Sequence, residues 1–348
     1  MSGWKSNSKI SDQPDGQSGS EPLTLGDEDP EVFTNPQLRK TMVRRWFVWF
    51  IPFIMLLAGC TMPSVQTLTQ PIPADTSQVD TTPDGDATRN SVAGQRADLL
   101  SAFFGLDDDL PGTANLRICG DIGKTDGMPV IFSHEVDSET LQAADFRVVT
   151  ASGQEGRVDC VTLAPALDIG ERRTVLLLGD FGSADTDPPA TVEIVGNLLS
   201  LDGALNFRGA VIAVTQLAPG PALVLAESVP VEQWKLEQPG GPWSVGSGCP
   251  DGTVQAIRAV WQGGIIKPNG EEVDDVERMQ YTATLIQDGS PVDTVPFALG
   301  DLDDGDNNHL LCLSEEGTPQ SISFSAGYVV DPNGDLNPAT QVEVRPLP

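Results

Sequence analysis

Apolar and polar positions divide the chain into distinct regimes. Residues 1–41 are rich in Ser, Gly, Asp and Pro and carry the acidic cluster Asp27, Glu28, Asp29 and Glu31, a composition that cannot bury a core and predicts disorder. Trp46 to Ala58 is an apolar run behind Arg44 and Arg45. It falls short of the ~20 residues of a membrane-spanning helix and matches the ~7–15-residue core of a signal peptide. Residues 60–90 return to Thr, Ser and Asp with Pro63, Pro71, Pro73 and Pro83, which describes a flexible tether. Residues 97–106 place Leu99, Leu100, Phe103 and Leu106 at helical spacing and predict a short amphipathic helix that packs on the core and closes near Gly105.

From Asn115 the pattern changes to short β-branched runs separated by Gly, Pro, Asp and Ser, which predicts an all-β fold. Strands are expected at 116–119, 129–133, 146–150, 157–163, 173–178, 192–195 and 210–214, enough for one β-sandwich. A second set is expected at 253–261, 278–286, 294–299, 310–313, 321–325 and 341–345. Between the sets, 218–242 is Pro- and Gly-rich around the apolar run 222–226, and the boundary is placed there. The expected organisation is a leader at 1–41, a signal at 42–59, a tether at 60–90, and two sandwiches at 91–220 and 221–348. Translation from Met42 would make the leader a gene-start artefact.

Two resemblances sharpen this. Leu57-Ala58-Gly59-Cys60 resembles the lipobox of bacterial lipoproteins. That resemblance implies a diacylglycerol on the Cys60 sulfur, cleavage before it and a mature chain beginning at the acylated cysteine. One acyl chain holds a protein only marginally, so a multiply acylated N-terminus suits a large soluble part. Thr61 in place of Asp after the cysteine implies, by the enterobacterial sorting rule, delivery to the outer membrane or cell surface. Residues Pro129-Val130-Ile131-Phe132-Ser133, Val136-Asp137, Thr140-Leu141 and Asp145-Phe146-Arg147-Val148 resemble bacterial Ig-like domains of the S-layer type. The resemblance implies a strand, a short helical turn and a second strand. Gly327 to Asn337 is similar to the closing segment of that family and to Gly196 to Asn206 of this chain, which suggests a duplication.

Charge and cysteine content then restrict function. With 20 Lys and Arg against 50 Asp and Glu, the net charge is −30, and nucleic acid is excluded as a partner for want of a basic footprint. Cys60 is assigned to lipid, leaving Cys119, Cys160, Cys249 and Cys312. In an exported protein this even set predicts two disulfides, and pairing Cys119 with Cys160 and Cys249 with Cys312 keeps each bridge within one sandwich. No cysteine has a second ligand at zinc spacing.

Catalytic patterns are not found. His134 and His309 are placed on solvated loops, Ser247 lacks nucleophile-elbow spacing, and Asp180-Phe181-Gly182 stands without its kinase partners. The chain is therefore expected not to be an enzyme and to need no cofactor. Calcium is the one candidate ion: Asp301, Asp303 and Asp306 in one loop, and Asp331, Asn333 and Asp335 in another, offer hard oxygen ligands, although neither loop is an EF-hand. Solvated turns have the same composition. Trp234, Trp243 and Trp261 near the boundary offer a stacking surface for a glycan or solute, with boundary packing as the competing role. The expected function is a surface-anchored structural or adhesive protein, held to the membrane by lipid and facing a surface protein or glycan.

Overall fold

Strand alternation sets the architecture, and the computed structural model describes it for residues 97–110, 119–120, 125–234, 248–302 and 305–347. The expected signal, Cys60, the tether, Trp243 and Asp303 lie outside the described residues. The first unit comprises β1 (Leu99–Ala102), β2 (Asp126–Phe132), β3 (Phe146–Thr150), β4 (Glu155–Thr162), β5 (Thr174–Asp180), β6 (Pro189–Ile194) and β7 (Val211–Ala213). The second comprises β8 (Leu223–Val229), β9 (Gln255–Trp261), β10 (Tyr281–Gln287), β11 (Ser290–Thr294), β12 (Ala298–Gly300), β13 (Asn308–Leu313), β14 (Thr318–Phe324) and β15 (Thr340–Arg345). Their hydrogen-bonded orders are β1-β2-β5-β4-β3-β6-β7 and β11-β10-β14-β15-β8-β9-β13-β12. Each sheet curls over its own core, so the chain is all-β with two β-sandwich-like units.

The cores follow from period-two burial. In β2, Met128, Val130 and Phe132 point into the first core, where Phe132 meets Phe146 and Phe207 edge-on at 6.3 and 4.8 Å between ring centroids. Ile131, between them in sequence, faces the other way and is also fully buried, because the second unit covers that face. The second core gathers Trp261, Tyr281 and Phe324, again edge-on, with Ile257, Leu285 and Leu311.

Strand pairings give the two units one topology. The trio β1-β2-β5 corresponds to β8-β9-β13, and β3-β6-β7 corresponds to β10-β14-β15. In the first unit β4 pairs with both β5 and β3; in the second its work is divided, β12 pairing with β13 and β11 with β10. A 3-10 turn (Ala143–Asp145) precedes β3 and α2 (Asp275–Arg278) precedes β10, each closed by a capping box, Gln142 with Asp145 and Asp274 with Glu277. Both units close in parallel: Phe103 bridges Thr215 in the first, and Val344 and Arg345 of β15 pair with Ala226 and Glu227 of β8 in the second. The matching segments 196–206 and 327–337 are both tight hairpins, with bridges Leu199–Asn206 and Val330–Leu336.

Several expected elements differ. Residues 97–106 are not a helix: β1 pairs with Val130, Ile131 and Phe132. The strand is covered on both faces, Leu99 and Ala102 by the first core and Leu100 by the second unit, so its apolar residues show no alternation and their spacing imitates a helical face. The presumed linker 218–242 contains β8 and α1 (Val231–Trp234). The strand expected at 294–299 is broken between β11 and β12, where Pro296 lacks an amide to donate. Position 278, expected in a strand, closes α2.

Both disulfides pair as expected, Cys119 with Cys160 and Cys249 with Cys312, closing segments with sequence separations of 41 and 63.

Candidate functional site

The surfaces between the units carry an unusual density of buried charge. Ile131 from β2 packs with Leu225 and Val260 from β8 and β9, flanked by Leu100 and Val224. Phe103 lies against Gly263, where an added Cβ would stand 3.3 Å from the ring. Beside this apolar patch, Arg258 of β9 is 1% exposed and is paired across the ladder with Glu227 of β8. Its Nη1 donates to Glu227 at 3.1 Å, and its Nη2 donates to the Ile169 carbonyl of the first unit at 2.8 Å. Arg173, just before β5, donates to the same Glu227 oxygen at 2.8 Å, so one carboxylate ties an arginine from each unit. Arg345 completes the junction by donating to the Ser133 carbonyl at 3.1 Å. Gly170 is required here: its φ is +93°, and a Cβ would lie 2.0 Å from Arg258 Nη1.

Next to Arg258, three carboxylates converge. Asp168 and Glu171 come from the loop between β4 and β5, and Asp301 follows β12 in the other unit; one oxygen of each lies within 4.8 Å of the others. Glu171 and Asp301 are each 1% exposed, and among the described residues no amide, hydroxyl or guanidinium donor bonds any of their four oxygens; the two carboxyls face each other, and a hydrogen bond between them requires one to hold a proton. Arg258 Nε stands 3.9 Å from Glu171 and makes no hydrogen bond. Burial, then the charge of Asp306 and a hydrogen bond with Asp301 together with its charge, push the Glu171 carboxyl well above its ordinary value, and Arg258 only partly offsets this. Burial also raises Asp301, against a hydrogen bond from Glu171 and the charge of Arg258, which lower it. Asp301 holds φ +65°, a conformation costly for most side-chain-bearing residues, in order to present its carboxylate there. An all-oxygen set of this kind suits a hard cation and not zinc.

The other expected donors are used by the fold. Asp306 accepts from the Asn308 backbone and side-chain amides, both at 2.7 Å. Asp331 Oδ1 accepts from the amides of Asn333 and Asp335 at 2.9 and 3.0 Å, an Asx-type turn, while its Oδ2 is buried without a hydrogen bond and no cluster of three carboxylates converges on it among the described residues. The structure thus gathers carboxylates around Asp301 across the interface, not around the 331–335 turn. Asp168 and Glu171 carry no local signal; only the docking of the units brings them to Asp301.

The tryptophans are separated. Trp261 is fully buried in the second core, so it has no ring face to offer a glycan, and Trp234 packs with Val229, Ala256 and Leu310. His309 is likewise not on a loop but in β13, fully within the core. Trp261 Nε1 donates to Tyr281 Oη at 2.8 Å, and the same Oη lies 2.9 Å from His309 Nδ1, so the three side chains form one buried hydrogen-bonded chain. Burial pushes the His309 pKa down to about 4. Stability from this group is therefore fully present above the unfolded value of about 6.5 and declines as pH falls towards about 4. Asp126 and Asp331, raised to about 6 by burial, act in the opposite sense, stabilising the fold as pH falls from about 6. Urea midpoints at pH 7 and 4.5 should accordingly show a smaller acid loss in His309→Gln than in wild type, by up to about 3 kcal/mol. Identical pH dependence in the two proteins would contradict a neutral buried imidazole.

No protein-family model matches the chain, and no curated protein matches it. Among solved structures, it is similar to the N-terminal part of the bacterial S-layer protein SbsC at 11% identity and TM-score 0.24, covering 73% of this chain and 45% of that one. A structure of surface layer protein SbsC, domains 1-6, is similar at 12% identity and TM-score 0.25, covering 74% and 42%. The chain spans less than half the length of these structures.

Proposed function

We propose that this protein is a lipid-anchored bacterial surface protein whose paired Ig-like sandwiches serve a structural or adhesive role. The observation that carries the reading is the junction: two units of one topology are joined through buried side chains, with Glu227 tying Arg173 to Arg258. Such a junction makes a stiff two-unit body, as a spacer or presenting module requires, and the acidic surface keeps it soluble. Leu57-Ala58-Gly59-Cys60 supplies the anchor, and residues 61–90 supply the reach. Ser133 Oγ accepts the Asp98 amide and lies 2.9 Å from His134 Nδ1, but the serine is buried, so this Ser–His contact does not present its hydroxyl to a substrate.

The anchor is tested by mass spectrometry of the N-terminal peptide. Wild type should begin at an acylated Cys60, and Cys60→Ala should be neither cleaved there nor acylated. A wild-type N-terminus elsewhere, or an unmodified Cys60, overturns the anchoring. Protease shaving of intact cells should release peptides of both sandwiches; full protection overturns the surface reading.

A further inference from the structure

We propose that calcium binds between the two sandwiches on the carboxylates of Asp168, Glu171 and Asp301, and that it fixes one unit against the other. Three carboxylates with mutual oxygen distances within 4.8 Å repel one another, and close acidic groups by themselves call for no ion. The second observation is the state of Glu171 and Asp301. Both are 99% removed from solvent, yet among the described residues their oxygens are bonded by no amide, hydroxyl or guanidinium donor and face only each other, two groups that cannot both be ionised there without a cation. Buried carboxylates ordinarily find donors because losing water without replacement is costly. Arg258 does not fill that role in this geometry: Nη1 donates to Glu227, Nη2 to the Ile169 carbonyl, and Nε, the donor nearest Glu171, stands 3.9 Å away without a hydrogen bond.

A hard divalent cation supplies what the arginine does not. It accepts several carboxylate oxygens at once without demanding fixed directions, and calcium tolerates irregular multi-carboxylate geometry where magnesium holds an octahedron of its own waters. Asp168, half-exposed at the rim, gives the ion an entry and a place for coordinated water. Glu171 and Asp168 belong to the first unit and Asp301 to the second, so the ion's ligands are complete only when the units are docked.

Calcium titration of the purified full chain by isothermal calorimetry and by thermal melting tests the proposal. None of these readouts depends on the lipid anchor, so the site and the surface reading fail separately. Wild type should bind calcium and melt at temperatures that rise with free ion concentration. Glu171→Gln and Asp301→Asn should bind about tenfold or more weakly. In chelator they should melt no lower than wild type, because each removes a buried like charge. Asp168→Asn, at the rim, should weaken binding without altering the core, which keeps the test readable if the buried changes prevent folding. Asp335→Asn, in the other acidic turn, should leave the titration unchanged. Calcium responses unaltered by all three cluster substitutions overturn the proposal. So does a wild type indifferent to millimolar calcium but stabilised by acid, which would mean that a shared proton and not a metal joins Glu171 to Asp301.

Discussion

Arg258→Met lowers the unfolding free energy by about 3–5 kcal/mol, the largest effect expected of a single substitution in this protein. The guanidinium is 1% exposed and faces Glu227 at 3.1 Å and Glu171 at 3.9 Å, and it donates to the Ile169 carbonyl. Methionine of similar reach fills the space but leaves the Ile169 carbonyl without this donor and Glu171 and Asp301 without their neighbouring positive charge. Uncompensated buried carboxylates account for most of the loss, so adding Glu171→Gln should restore part of it. Urea denaturation of the single and double variants measures this. A loss below about 1 kcal/mol would show that the junction's charges are solvated and contribute little, as exposed ion pairs do.

Replacing Cys249 and Cys312 together with alanine should cost about 4 kcal/mol, from the loop-closure entropy of a segment with a sequence separation of 63. The bridge fastens the chain ahead of β9 to Cys312, fully buried near the end of β13. Removing it frees a segment that includes β9, β10, β11 and β12 in the unfolded ensemble. Reductant should lower the wild-type melting temperature and have a smaller effect on the double variant, which retains Cys119–Cys160. Graded reduction should open Cys119–Cys160 first, because both its residues are half-buried whereas Cys312 is not accessible. Equal melting temperatures with and without reductant in wild type would contradict a stabilising role for either bridge.

Sequence patterns foretold strands best where one face is wet. β3 (Phe146–Thr150) has the expected bounds because Phe146, Val148 and Thr150 alternate inward with the exposed Arg147 and half-buried Val149. β1 and β8 lie at the junction with both faces covered, which erases alternation; one imitates a helix and the other passes for an apolar stretch in a linker. β11 (Ser290–Thr294) is mostly exposed and polar, so it gives no hydrophobic period at all. The site shows the same division. Asp301 stands out in an Asp-rich loop, whereas Glu171, some 130 residues away, is an ordinary loop acid until two units are docked. Disulfide pairing is legible because each bridge stays within one unit; the burial of His309 is not, because its neighbours Asn307 and Asn308 look like turn residues, whereas Asn308 begins β13 and both asparagines are buried.

The parallel closure of each unit has a mechanical consequence when the chain is pulled from its two ends. In the second unit β8 is the entering strand and β15 the leaving one, and they lie side by side running the same way. In the first, the segment around Phe103 and that around Thr215 do likewise, with amide bonds from Phe104 to Thr215 and from Thr215 to Ala102. Tension between the start and end of either unit pulls such neighbours in opposite senses along their length. The bonds joining them are then loaded together in shear instead of opening one after another like a zip, and a force along the chain meets each sandwich at its most resistant seam.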